Sequence, residues 1–247
     1  MKPILFQLGP VPLRSYGVMM MIGFLVGLYR AVRVAKKRGI DTSFVVDVSL
    51  YALLAGIVGA RLVFILLNWS QFRGDLRGVL SIWQGGLSYH GGVIFSIAAI
   101  LTCCKAKRLP FREIADLLAP SLAIAYGFTR IGCFLNGCCY GIPSNLPWAV
   151  KFPDLPCPVH PTQLYSSAAS FLIFLALTRA EKWKMPAGFV FTAYIALYCV
   201  YRFLIEILRK GATAEVMVWG LTQAQIVSVG VFVVAVMVLC RMRQSRT

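Results

Sequence analysis

Seven stretches of the chain are apolar over lengths that approach a membrane crossing: Tyr16 to Leu28, Val45 to Leu67, Val93 to Cys104, Ile114 to Leu135, Leu164 to Leu177, Gly188 to Leu208 and Gln225 to Cys240. A spanning helix needs about 20 mostly apolar residues. The pattern therefore predicts an all-α, polytopic membrane protein with about seven transmembrane helices. The third run is short and spans only if the glycine-rich stretch Gly85 to Gly92 enters the membrane, so six or eight spans stay open. No internal repeat, low-complexity tract or long linker separates the runs, which predicts a single membrane-embedded domain over residues 1–247.

Composition agrees with the pattern. With 59% hydrophobic and only 14% charged residues over 247 positions, the chain is too apolar for a soluble domain of its size. Its formal charge of +16 does not predict a nucleic-acid partner, because the basic residues sit in short clusters between apolar runs instead of covering one face. Arg30, Arg33, Lys36, Lys37 and Arg38 follow the first run, and Lys105, Lys107, Arg108 and Arg112 the third. Arg179, Lys182 and Lys184 follow the fifth, and Arg241, Arg243 and Arg246 close the chain. The positive-inside rule puts these four segments in the cytoplasm, with the N-terminus outside and the C-terminus cytoplasmic. Met1 to Leu13 lacks the pattern of a cleavable signal peptide, so the first span is expected to act as the insertion signal.

The remaining charges then fall within spans: Arg61 in the second, Asp116 and Arg130 in the fourth, and Arg202, Glu206 and Arg209 in the sixth. An arginine at a helix centre costs about 2.5 kcal/mol or more on insertion scales, so such groups face a bundle interior or a wet cavity. Snorkelling and internal salt bridges are the structural alternatives. Spacing of i, i+4 and i+7 stacks Arg202, Glu206 and Arg209 on one helical face. Glu206 pairs with one arginine at a time, which leaves a guanidinium for a phosphate or carboxylate.

Three polar motifs accompany these charges. Gln84-Gly85-Gly86-Leu87-Ser88-Tyr89-His90-Gly91-Gly92 sets a histidine among four glycines, a candidate base or hydrogen-bond donor near backbone that a ligand can approach closely. His160-Pro161-Thr162-Gln163-Leu164-Tyr165 opens the fifth span, with Pro161 suited to a first helical turn and Gln163 and Tyr165 able to bond a headgroup or to form a polar interfacial belt. Gly127 to Gly141 closes the fourth span with four glycines, Arg130 and three cysteines, and reads as an irregular buried loop, which is tolerated at membrane depth only beside protein or a wet cavity.

Taken with Ser15-Tyr16-Gly17, Gly59-Ala60-Arg61-Leu62, Arg130-Ile131-Gly132 and the Arg202/Glu206/Arg209 stripe, the order and spacing of these motifs resemble the bacterial prolipoprotein diacylglyceryl transferases over nearly the whole chain. Leu221 to Ser228 extends the likeness into the last span. The resemblance implies a multi-pass enzyme of the bacterial inner membrane, with its active site toward the periplasm and no cofactor. It would transfer sn-1,2-diacylglyceryl from phosphatidylglycerol, among the surrounding membrane lipids, to the lipobox cysteine thiol of a prolipoprotein signal peptide, releasing glycerol 1-phosphate. It also implies Arg130 and Arg202 at the phosphate and leaving group, and His90 as the group that accepts the thiol proton or orients the one that does. Tyr16, Arg61, Asn136, Gly141, His160, Gln163, Tyr165, Glu206 and Arg209 would bind substrate, Glu206 and Arg209 tuning the stripe.

The chain differs from the commonest family signature at Cys133 (Asn), Cys138 (Glu), Thr129 (Gly) and Ser166 (Glu). These changes leave open a paralogue acting on another thiol or lipid. The external cysteines Cys133, Cys138, Cys139 and Cys157 near His160 leave open a thiol–disulfide oxidoreductase, and intramembrane arginines also suit a lipid or anion transporter. No metal is expected, since vicinal Cys138-Cys139 is awkward for tetrahedral ligation and the usual paired spacings are missing. A disulfide from Cys157 to Cys138 or Cys139 fits an oxidising periplasm.

Overall fold

The computed structural model describes residues 3–8, 11–74, 78–79, 85–153, 155–183, 185–209, 216–218 and 220–244. Gln84, Lys184 and Arg246, named above, lie outside the described residues. The elements run β1 (Ile4–Leu8), β2 (Val11–Arg14), α1 (Ser15–Arg38), α2 (Thr42–Leu67), α3 (Trp69–Phe72), α4 (Tyr89–Ala106), α5 (Phe111–Asn136), α6 (Thr162–Ala180), α7 (Phe189–Leu208), β3 (Val216–Val218), β4 (Leu221–Thr222) and α8 (Gln223–Gln244). Among the described residues the strands form two short antiparallel pairs, β1 with β2 and β3 with β4.

Among the described residues six helices, α1, α2, α4, α5, α7 and α8, are long and apolar enough to cross a membrane. The fifth expected span corresponds to α6, a 19-residue helix that buries Thr162, Gln163, Ser166, Ser167 and Ser170. Those polar residues keep it out of the strongly apolar set. At 1.5 Å per residue it still extends about 28 Å, close to the hydrocarbon thickness.

The chain divides into two compact units, one of Ala31–Ile114 and one of Met1–Arg30 with Ala115–Thr247. In the first, α2 packs on α4 through small residues. A Cβ on Gly91 would stand 2.4 Å from the Gly59 carbonyl oxygen, and Ser96 Oγ donates to the Ala52 carbonyl at 2.8 Å. Lipid supplies no hydrophobic drive between helices, so such close backbone approach and interhelical hydrogen bonds carry the packing. Leu54, Val58, Leu62, Leu66 and Leu67 on α2 remain exposed, as lipid-facing side chains do.

In the second unit, α1 approaches α5 at Gly23 and Gly27, whose hydrogens face the carbonyl oxygens of Ala125 and Ser121. The core of α5, α6 and α7 is built from Ala119, Ala123, Ile173, Leu177, Val190, Tyr201 and Ile205. Helix α8 begins on a reciprocal cap: Gln225 Oε1 accepts from the Thr222 amide at 3.0 Å and Thr222 Oγ1 from the Gln225 amide at 3.3 Å.

Two charges flagged in the sequence do architectural work here. Arg30, read as part of a cytoplasmic cluster, forms an ion pair with Glu181 and donates to the Leu117 carbonyl at 2.6 Å. Asp116 on α5 accepts from the amides of Gly188 at 2.7 Å and Phe191 at 2.8 Å. A carboxylate is thereby held against the positive end of α7, where the first amides lack helical partners. Asp116→Ala is expected to lower stability by about 1–3 kcal/mol, because those buried amides lose their acceptors. Thermal unfolding in detergent measures this, and Asp116→Asn should lose less.

Candidate active site

The second unit holds Tyr16, Arg130, Asn136, Gly141, His160, Gln163, Tyr165, Arg202, Glu206 and Arg209; the first holds Arg61 and His90. Helix α5 continues through Asn136, so the expected irregular segment from Gly127 is helical until Gly137, whose positive φ of 75° ends it. Arg130 thus projects from a regular helix one turn after Tyr126. Its guanidinium lies 4.7 Å from the Tyr126 ring centroid and donates to the Tyr126 hydroxyl, while its buried Nε has no partner among the described residues. Tyr126 packs edge-on against Tyr198 and Tyr201 of α7. No sequence motif marks this tyrosine cluster, and its one local signal is the i, i+4 spacing of Tyr126 and Arg130.

On α7, Arg202 forms an ion pair with Glu206, whose side chain is fully buried and whose second oxygen, Oε1, has no partner among the described residues. The helix ends at Leu208, and Arg209 turns into extended backbone (φ −86°, ψ 151°). The three-residue stripe read from spacing is therefore helical only for Arg202 and Glu206. The paired guanidinium is that of Arg202.

The histidine-proline motif holds the cysteine loop in place. Thr162 Oγ1 donates to the Cys139 carbonyl at 2.8 Å and Gln163 Nε2 to the Cys138 carbonyl at 2.6 Å. Gln163 Oε1 is buried and, among the described residues, unpartnered. His160 Nδ1 lies 3.4 Å from the Tyr165 hydroxyl, which also accepts from Trp148 Nε1 at 2.8 Å. Gly141 is buried at the junction: its amide donates to the His160 carbonyl at 2.9 Å, and the next amide, Ile142, to the Leu208 carbonyl at 2.9 Å. The backbone of Tyr16 packs against Gly132.

In the other unit Arg61 is buried and donates from Nε to the Val79 carbonyl at 3.0 Å, from Nη1 to those of Gly85 at 2.8 Å and Gly86 at 3.0 Å, and from Nη2 to that of Gly78. Four of its five N–H donors are thus given to loop carbonyls. Gly86 has φ 73°, and a Cβ there would meet Phe64 at 2.5 Å. Arg61 and the glycines shape the turn that delivers His90, which is exposed in the first turn of α4 with its ring 5.8 Å from that of Tyr89.

The expected disulfide from Cys157 is not formed, and all eight cysteines are free. The sulfurs of Cys133, Cys138 and Cys139 instead gather within 4.8 Å of one another, and Asn136 bonds Cys138. Hydrogen bonds from Cys133 and Cys138, with the fields of Arg130 and Arg209, hold the Cys139 thiol below its usual range against the opposing effect of burial. Cys138, Cys139, Gly141, Cys157 and Val159 line a cavity of about 560 Å³.

Among the described residues, the buried and unpartnered Arg130 Nε, on a helix of membrane-crossing length, is a donor of the kind an intramembrane anion site presents, while the unpartnered oxygens of Gln163 and Glu206 are acceptors suited to a hydroxyl. A family model of prolipoprotein diacylglyceryl transferases matches residues 3–241. The chain belongs to this family. Relatives named phosphatidylglycerol–prolipoprotein diacylglyceryl transferase include one from Trichormus variabilis, 34% identical over 92% of this chain and 84% of its own length. Another, from Finegoldia magna, is 34% identical over 96% and 94%. A third, from Geobacter sulfurreducens, is 36% identical over 84% and 82%. The family membership makes the protein a transferase of lipoprotein biosynthesis, and neither it nor the relatives' names favour the oxidoreductase alternative.

Proposed function

We propose that this enzyme transfers sn-1,2-diacylglyceryl from phosphatidylglycerol to the lipobox cysteine of a prolipoprotein, at the periplasmic side of the bacterial inner membrane. The observation that carries the reading is Arg130: a guanidinium on a membrane-length helix, oriented by Tyr126 and with a buried Nε left to donate. In the reaction the acceptor sulfur attacks the glyceryl carbon that bears the phosphate. A C–S bond forms, the C–O bond to phosphate breaks, and its electron pair leaves with glycerol 1-phosphate. His90 takes the thiol proton, or orients the group that does, since the thiolate is the nucleophile.

Charge on the departing phosphate grows as the C–O bond breaks, so Arg130 and Arg202 bind the transition state more tightly than the lipid. Glu206 fixes Arg202, and Arg209 adds positive field near the loop. Tyr16, Asn136, His160, Gln163 and Tyr165 position the headgroup, with Gln163 Oε1 the buried acceptor for one of its hydroxyls. Basic residues in the last turns of α1, α4, α6 and α8 support a topology with those ends cytoplasmic and the N-terminus outside, α6 crossing as the seventh span.

The test is a reconstituted assay with labelled lipid and a lipobox peptide. Phosphatidylglycerol vesicles are expected to support transfer and phosphatidylethanolamine vesicles not. Arg202→Ala should remove most activity, while Lys36→Ala, at the exposed end of α1, should match the wild type. Equal transfer from both lipids, or normal turnover by the Arg202 variant, refutes the reading.

A further inference from the structure

Spacing alone argues against metal at the cysteines, because neighbouring side chains in extended chain diverge. The fold removes that objection. Gly137 ends α5 with a positive φ, and Cys139 itself adopts the left-handed region at φ 62°. A non-glycine residue held there is uncommon and marks a constrained position. The two bends bring the vicinal pair back onto Cys133, in the last turns of α5, so that three sulfurs lie within 4.8 Å of one another.

That spacing can be compared with metal geometry. At a Zn–S distance of about 2.3 Å, three sulfurs around one ion are about 3.8–4.0 Å apart. Closing the cluster onto an ion therefore needs sulfur movements on the order of 1 Å or less. Cys138 and Cys139 belong to a loop with side-chain freedom to supply it, while their carbonyls are anchored by Gln163 and Thr162. Thiolates are soft ligands, and three of them select soft d¹⁰ cations over Mg²⁺ or Ca²⁺.

We propose that Cys133, Cys138 and Cys139 form a three-thiolate site for one soft d¹⁰ cation such as Zn²⁺, its fourth position facing the cavity that Cys138 and Cys139 line. The ion takes three thiolates, releasing whatever thiol protons they still hold, and with a divalent ion the complex has net charge −1. Arg130 and Arg209, whose positive fields already fall on Cys139, offset that charge. The site is independent of which lipid the enzyme uses.

The test uses reduced, full-length protein in detergent under anaerobic conditions, titrated with Cd²⁺ as a spectroscopic stand-in for Zn²⁺. An ultraviolet thiolate-to-metal charge-transfer band is expected to saturate at one ion per chain and to be reversed by Zn²⁺. Cys138→Ser and Cys139→Ser each should lose the saturating band. Both positions lie in a partly exposed loop, so the substitutions do not open the core, and an unchanged melting profile verifies this. Cys157→Ser should keep the band. No saturating band in the wild type, or the same titration in both loop variants, overturns the site.

Discussion

Arg130→Ala is expected to lower diacylglyceryl transfer by about 10²–10³-fold, the usual loss when one preorganised donor to a developing charge is removed. Alanine deletes the buried Nε and both terminal nitrogens, leaving the Tyr126 hydroxyl without its donor. A half-buried cation is expensive at membrane depth, so removing it should leave the melting temperature unchanged or raised. Activity and stability are thereby separated. Arg130→Lys keeps a charge but loses the planar fork and the stacking on Tyr126, and should recover only part of the rate. Initial rates with labelled phosphatidylglycerol, at saturating lipobox peptide, measure both variants. Wild-type turnover by Arg130→Ala would remove this residue from the site.

Gly141→Ala is expected to act through the backbone and to damage stability and activity together. Its Cβ would lie 2.4 Å from the Leu208 carbonyl oxygen, 2.7 Å from Thr162 and 2.9 Å from His160. The first neighbour is backbone and cannot rotate away, so the loop must separate from the end of α7. Overpacking of this kind costs about 1–3 kcal/mol. The same separation pulls on the contacts that fix Cys138, Cys139 and His160, and a misplacement of about 1 Å can cost on the order of 10²-fold in rate. Gly17→Ala is the matched control, since nothing lies within 4 Å of a Cβ at that position. Comparable losses in the two variants would mean that packing at Gly141 is not the cause.

These two positions were legible from sequence to different degrees. Arg130 stood out because a cation inside an apolar run is costly wherever the run folds. Gly141 was noticed only within a motif, and its reason, a carbonyl from the end of α7, comes from residues 67 positions away. The same limit hides what other charged residues touch. Four carbonyls from the following loop occupy Arg61, and Asp116 caps a helix that begins more than seventy residues later. The segment after Gly127 looked irregular by its glycines, yet packing against Tyr16, Met19 and Phe171 explains Gly127 and Gly132 within a continuous helix.

Membrane class, helical architecture, basic helix ends and family are all legible in the amino-acid order, because transfer free energy and motif order are properties of the chain read locally. Which arginine Glu206 holds, which buried donors and acceptors stay unpaired among the described residues, and the meeting of three cysteines at one point all come from the packed fold. Those outcomes depend on backbone groups brought together from distant segments, and no local pattern encodes their distances.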